Sequence, residues 1–113
     1  MALQFYGLGN CDSCRAAMKA LDAAGIGFTF NDVRGDGVPA DALRRALDDH
    51  GADRVLNRRS TTWRGLDEVA RSGDPVDLLV AHPALMKRPL IVLADGATTI
   101  GWDDGARASL GLA

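Results

Sequence analysis

Neither sign of charge is in large excess in this 113-residue chain: 15 acidic residues against 13 basic ones leave a formal charge of −2. Nucleic-acid affinity rests on concentrated Lys and Arg, so no nucleic-acid partner is expected. No apolar run approaches the roughly 18 residues that a membrane span needs, so no membrane partner is expected either. The opening MALQFYGLGNCDSC has neither the basic start nor the unbroken apolar stretch of a secretory signal, and the expectation is a cytoplasmic protein. Cysteine is scarce too. There are only Cys11 and Cys14, and a two-residue gap makes a poor structural staple; in a reducing compartment that spacing points to redox or metal chemistry. With no second cysteine pair, and His50 and His82 distant in sequence, a four-ligand zinc site lacks its ligands and no metal is expected.

What is present suffices for a core. Apolar residues make up 47% and charged residues 25%, so one domain over residues 1–113 can form without staples. Leu3 to Tyr6 is a short apolar run ended by Gly7, Gly9 and Asn10, and reads as a buried strand. From Ser13 to Ala24, apolar Ala17, Met18, Leu21 and Ala24 recur at helical spacing, and Gly25 stops the helix. Ile26, Phe28 and Phe30 then alternate with smaller or polar residues as a second strand would. A strand, helix and strand in about 30 residues is a βαβ unit with parallel strands.

After a turn-rich stretch from Asp32 to Pro39, a helix is expected over Ala40 to His50, ended by Gly51. Asn57 to Ala81 reads as helix in two pieces broken at Ser72-Gly73-Asp74-Pro75. Thr61 or Thr62 is expected to cap the first piece, and Asp74 with Pro75 to open the second. Leu90 to Leu93 and Thr98 to Gly101 form a hairpin about Asp95-Gly96, and Asp103 or Asp104 caps a last short helix over Gly105 to Leu110. The order βαβ, helical insertion (about 39–82), ββα defines an α/β, thioredoxin-like fold with a four-stranded mixed sheet.

In that fold Cys11-Asp12-Ser13-Cys14 sits between a strand and a helix, at the sheet edge where open α/β folds place their sites. Helix-start amides lack internal partners, and with the helix dipole they favour thiolate over thiol. Cys11, upstream and more exposed, is the expected nucleophile; Cys14, partly covered, the resolving thiol. Arg15 adds positive charge nearby and Asp12 opposes it. Arg58, Arg59 and Arg88 could stabilise a thiolate or hold a carboxylate or oxyanion, although spacing alone leaves them solvated surface residues. By the same measure Trp63 and Trp102 read as partial core.

Tyr6-Gly7 with Asn10-Cys11-Asp12, the segments DVRGDG (32–37), LNRRSTTW (56–63) and HPALMKRP (82–89) together carry a resemblance over nearly the whole chain. They resemble the glutaredoxin-coupled arsenate reductase (ArsC) family, and within it the Spx/YffB-like branch. The resemblance implies a nucleophilic Cys11, a catalytic Arg88 before a cis-proline at Pro89, and substrate contacts from Arg59 or Arg58, with Asn10 and Arg15 flanking the cysteine. It implies no bound cofactor, glutathione as co-substrate, glutathione or glutaredoxin as redox partner, a small oxyanion or disulfide as substrate, and a monomer. Ile100-Gly101-Trp102 stands where arsenate-reducing members carry a further basic residue, and those members lack a second cysteine at this spacing. Both departures lean toward YffB-like members, regarded as glutathione-dependent thiol reductases. Two alternatives follow from the same resemblance: an arsenate reductase, or an Spx-like redox-sensing regulator that binds RNA polymerase.

Overall fold

The computed structural model describes residues 3–112. Strand β1 (Leu3–Gly7) leads to helix α1 (Asp12–Ala23) and returns as β2 (Phe28–Asp32). The insertion follows as α2 (Ala40–His50), α3 (Ala52–Val55), α4 (Thr61–Arg64), α5 (Glu68–Arg71), α6 (Pro75–Ala81) and a 3₁₀ turn over Pro83–Leu85. Strands β3 (Leu90–Val92) and β4 (Thr98–Ile100) and helix α7 (Asp104–Ser109) complete it. The sheet order is β2-β1-β3-β4, with β1 parallel to β2 and antiparallel to β3, and β3 antiparallel to β4. This is the mixed four-stranded thioredoxin-like sheet expected from the pattern.

Alternation along β1 splits the core into two layers. Leu3 and Phe5 face Cys14, Ala17 and Leu21 of α1, whose spacing of three and then four residues keeps them on one stripe. Tyr6 faces the other way, onto Ala42, Leu43 and Ala46 of α2 and Leu78 and Leu79 of α6. Leu21, Leu43, Leu79 and Leu90 are at most 1% exposed, and each such burial contributes about 1.5–3 kcal/mol. The sheet is thus held between α1 and the inserted helices, and the end of β1 that feeds α1 lies where the two layers meet.

Several local expectations are corrected. Strand β2 starts at Phe28, not Ile26, and its alternation does not bury one face: Phe30 is 39% exposed, because β2 is an edge strand. The first inserted helical piece splits into α4 and α5 at Gly65-Leu66-Asp67. Ser60, not Thr61 or Thr62, caps α4 by accepting from the Trp63 amide at 3.1 Å. The short α3 was not expected. Helix α1 begins at Asp12, one residue before Ser13, and α7 runs from Asp104 with Asp103 as its cap. Asp74 caps α6 ahead of Pro75, as the sequence indicates.

The far edge of the sheet is tied down by α2. The Thr98 hydroxyl and amide both donate to Asp49 Oδ2, at 2.6 and 3.1 Å. His50 Nε2 lies 2.9 Å from the Thr98 carbonyl oxygen, which can only accept, so Nε2 carries the proton.

Candidate active site

Cys11 is the N-cap residue of α1, with extended backbone (φ −93°, ψ 127°), and its carbonyl accepts the first helical bond from Arg15 at 2.9 Å. Its own amide closes a turn onto the Leu8 carbonyl at 3.2 Å. The sulfur is therefore held at the mouth of the helix, half-buried. Burial by itself raises the Cys11 pKa, but four donors outweigh it: the Cys14 amide, the Cys14 thiol, the Arg88 guanidinium and the Ser13 amide. The net result is a thiol below its ordinary range. The helix-start amides favour the thiolate by proximity, without a geometric capping hydrogen bond to the Cys11 side chain. Its sulfur stays available to a substrate.

Cys14 behaves oppositely. It is fully buried, and burial pushes its pKa up to about 11. The Leu8 amide donates to its sulfur at 3.4 Å and works against that rise, as does Arg88, while the neighbouring Cys11 reinforces it. The start of this helix thus holds two unlike sulfurs, and both are free thiols. Gly7 makes room for the deeper one: a Cβ there would sit 2.6 Å from Cys14 Sγ and 2.8 Å from Phe5 Cε1.

Arg88 reaches Cys11 from the insertion side. Its Nη1 donates to the Ala84 carbonyl at 3.3 Å, and its Nε is buried with no partner among the described residues. The Arg88–Pro89 peptide is cis, and the Pro89 carbonyl accepts from the Gly101 amide at 3.0 Å. Cys11, Ser13, Arg88 and Met86 line a cleft of about 280 Å³, closed by Asn57, Lys87, Gly101 and Trp102.

The other expected residues fall elsewhere. Arg15 is exposed on α1 and is not among the groups that shift Cys11, and Asn10 is exposed in the turn before it. Arg58 is engaged by Asp53 at 2.6 Å and lies over the Trp63 ring at 5.5 Å. Arg59 lines a neighbouring hollow rather than the Cys11 cleft. Ser13, Asn57, Met86 and Lys87 were not singled out from the sequence. Only Ser13 and Lys87 carried a signal, as immediate neighbours of Cys14 and Arg88. Trp102, read as partial core, does pack on the α1 layer but also forms a wall of the cleft. Among the described residues no cluster of His, Cys, Asp or Glu could hold a metal ion, and no helix is long and apolar enough to cross a membrane.

The pH response of Cys11 should follow from these donors. Rapid alkylation by iodoacetamide is expected to rise with pH through a midpoint below that of a free thiol, with Cys14 unreactive until far higher pH. Arg88→Ala removes a donor that favours the thiolate, so the Cys11 midpoint should move up. An unmoved midpoint would show that the guanidinium does not act on this sulfur.

A thioredoxin-like sheet that presents a cysteine pair at the start of its first helix, with an arginine from the approach to β3 on the outer sulfur, defines a class of redox-type domains. The ArsC family profile matches residues 6–108, and the chain belongs to that family. A solved structure named YFFB protein superposes with a TM-score of 0.84 at 33% identity, covering 96% of this chain and 97% of that one. An arsenate reductase (ArsC) related protein from Brucella melitensis is 34% identical with a TM-score of 0.68, covering 99% and 97%. The global transcriptional regulator Spx 2 of Bacillus anthracis is 28% identical over 104 residues, 88% of this chain and 79% of that one.

Proposed function

We propose that the protein is a glutathione-dependent thiol–disulfide oxidoreductase with Cys11 as its nucleophile. The observation that supports this most is the division between the sulfurs: Cys11 lowered and open to a cleft, Cys14 raised to about 11 and sealed beneath it. In the first step the Cys11 thiolate attacks the glutathione sulfur of a mixed disulfide. A Cys11–glutathione bond forms, the original S–S bond breaks, and the departing thiolate takes a proton from water. A second glutathione thiolate then attacks the glutathione sulfur on Cys11, producing oxidised glutathione and returning Cys11 as thiolate. The substrate thiol is reduced and glutathione is oxidised by the same electron pair.

Cys14 is the slower resolving group on this scheme. A thiol with a pKa near 11 is ionised in only about one molecule in 10⁴ at pH 7, against a few per cent for an ordinary thiol. Once Cys11 is a neutral disulfide, its two contributions to the Cys14 rise disappear, yet burial, the largest, remains.

Arg88 favours one further reading of the same site, because a guanidinium that lines the cleft with the Cys11 sulfur suits an oxyanion such as arsenate. Gly101 and Trp102 disfavour it, since they give that side of the cleft no cation. Brief exposure to oxidised glutathione, followed by intact mass and peptide mapping, tests the proposal: one glutathione on Cys11 is expected, removed by reduced glutathione. A protein that takes up no glutathione, or carries it elsewhere, ends the proposal. Glutathione oxidation that depends on arsenate would replace it with the oxyanion reading.

A further inference from the structure

The Cys11 cleft does not end at Arg88. Asn57 and Lys87 line it and also line a second hollow of about 380 Å³, whose other walls include Arg58 and Arg59. The cations around these joined hollows are not equivalent. Arg58 is given over to Asp53 and Trp63. Arg88 serves the Ala84 carbonyl and the Cys11 sulfur. Arg59 reaches only the outer hollow.

Lys87 lines both, is exposed, and makes no side-chain hydrogen bond or ion pair with the described residues. The acidic groups near it are already held: Asp53 by Arg58, and Asp103, which Lys87 affects only through space, by Arg54 at 3.1 Å. Its main chain is fixed, since its amide donates to the Val55 carbonyl at 2.8 Å and Met86 beside it bridges to Leu56. A long, unclaimed cation thus rises from a rigid root at the junction of the two hollows. Asn57 stands at the same junction, with Oδ1 taken by the Arg59 amide and Nδ2 left as a donor.

We propose, resting on the thiol-transfer reading above, that Lys87 selects anionic disulfides by holding a carboxylate of glutathione while its sulfur meets Cys11. Glutathione has two carboxylates and one ammonium per half, so its disulfide is anionic, and a lysine is a flexible point charge suited to a mobile carboxylate. The step itself is unchanged. Lys87 alters which disulfide arrives in reach of the thiolate, through charge complementarity that salt should weaken.

The test is the rate at which reduced protein forms an adduct, read by intact mass after acid quenching. Three disulfides serve as probes: oxidised glutathione (anionic), bis(2-hydroxyethyl) disulfide (neutral) and cystamine (cationic). Intrinsic differences between the probes cancel when each variant's ratio is compared with that of the unaltered protein. Lys87→Ala should cut the preference for oxidised glutathione over the neutral probe by about fivefold, the scale of one partly exposed charge contact. Lys87→Glu should cut it further and favour cystamine, Lys87→Arg should retain it, and added salt should shrink it in the unaltered protein and in Lys87→Arg but not in Lys87→Ala. Adducts forming at the same ratio in Lys87→Ala overturn the role of Lys87 and leave the thiol-transfer reading standing. No adduct from any probe in the unaltered protein overturns both.

Discussion

Cys11→Ser is expected to abolish thiol transfer, whereas Cys14→Ser should keep most of it. The two substitutions remove one sulfur each, from positions three residues apart on the same helix start, yet the surroundings of the two differ completely. At Cys11 the amides of Cys14 and Ser13 and the Arg88 guanidinium converge on a half-exposed sulfur. A serine hydroxyl there receives the same field but ionises far too weakly to attack a disulfide, and an S–S exchange needs a sulfur nucleophile in any case. At Cys14 the sulfur lies beneath the surface and is held as a thiol. Serine removes a resolving group that glutathione replaces from solution. It also removes the Cys14 thiol that donates to Cys11, although the amide of residue 14 remains. In a coupled assay of glutathione oxidation, Cys14→Ser should retain activity within a few-fold of the unaltered protein. Activity surviving in Cys11→Ser would remove Cys11 from the mechanism. Activity lost equally in both would make the intramolecular disulfide obligatory.

Gly7→Ala should destabilise the fold strongly, right at the site. Gly7 is buried at the carboxyl end of β1. Its added methyl would lie 2.6 Å from Cys14 Sγ and 2.8 Å from the Phe5 ring, both inside the distance at which any real contact sits. Neither neighbour has somewhere to go: Cys14 and Phe5 are both completely buried, in the layer formed with Ala17, Leu21 and Ile91. Overpacking of this kind costs about 1–3 kcal/mol and occasionally more, and two rigid neighbours place it at about 3 kcal/mol. For a domain of this size that lowers the thermal midpoint by on the order of 10 °C. Cys14→Ala in the same chain removes the closer of the two contacts, so the double variant should recover part of the loss beyond additivity. A midpoint within a degree or two of the unaltered protein would show that β1 and α1 can separate at little cost.

Periodicity made the frame legible because it reports burial directly. Ala17 and Leu21 of the first helix, the helix from Ala40 to His50 and the hairpin about Gly96 are all set by local pattern and turn chemistry, although Ala24, read on the same stripe, caps the helix and is exposed. The pattern failed where a strand has no covered face, as in β2, and where several residues could each act as a cap, as among Ser60, Thr61 and Thr62. The site divides along similar lines. Cys11, Cys14 and Arg88 come together because the helix start and the approach to β3 meet at the carboxyl end of β1, a consequence of topology. Whether Arg58 or Arg59 faces that edge depends on a chain of short helical turns, and one ion pair with Asp53 decides it for Arg58. Lys87 escaped notice because a lone lysine in sequence carries no sign of what neutralises it. Only folded geometry shows that Asp53 and Asp103 are both held by other cations.

The clamp between α2 and β4 makes the two borders of the sheet unequal. An unpaired strand is a template onto which a foreign strand can zip, and proteins must cover or spoil it. At Thr98 the outward amide and carbonyl are already occupied by Asp49 and His50, so a foreign strand would have to displace two side chains before its first bond formed. The opposite border, β2, carries an exposed Phe30 and, among the described residues, no hydrogen bond from a helix end like that of Asp49. If chains of this protein were to join sheet to sheet, as on overconcentration or partial unfolding, the seam would run along Phe28–Asp32 and leave the cysteine end of the molecule open.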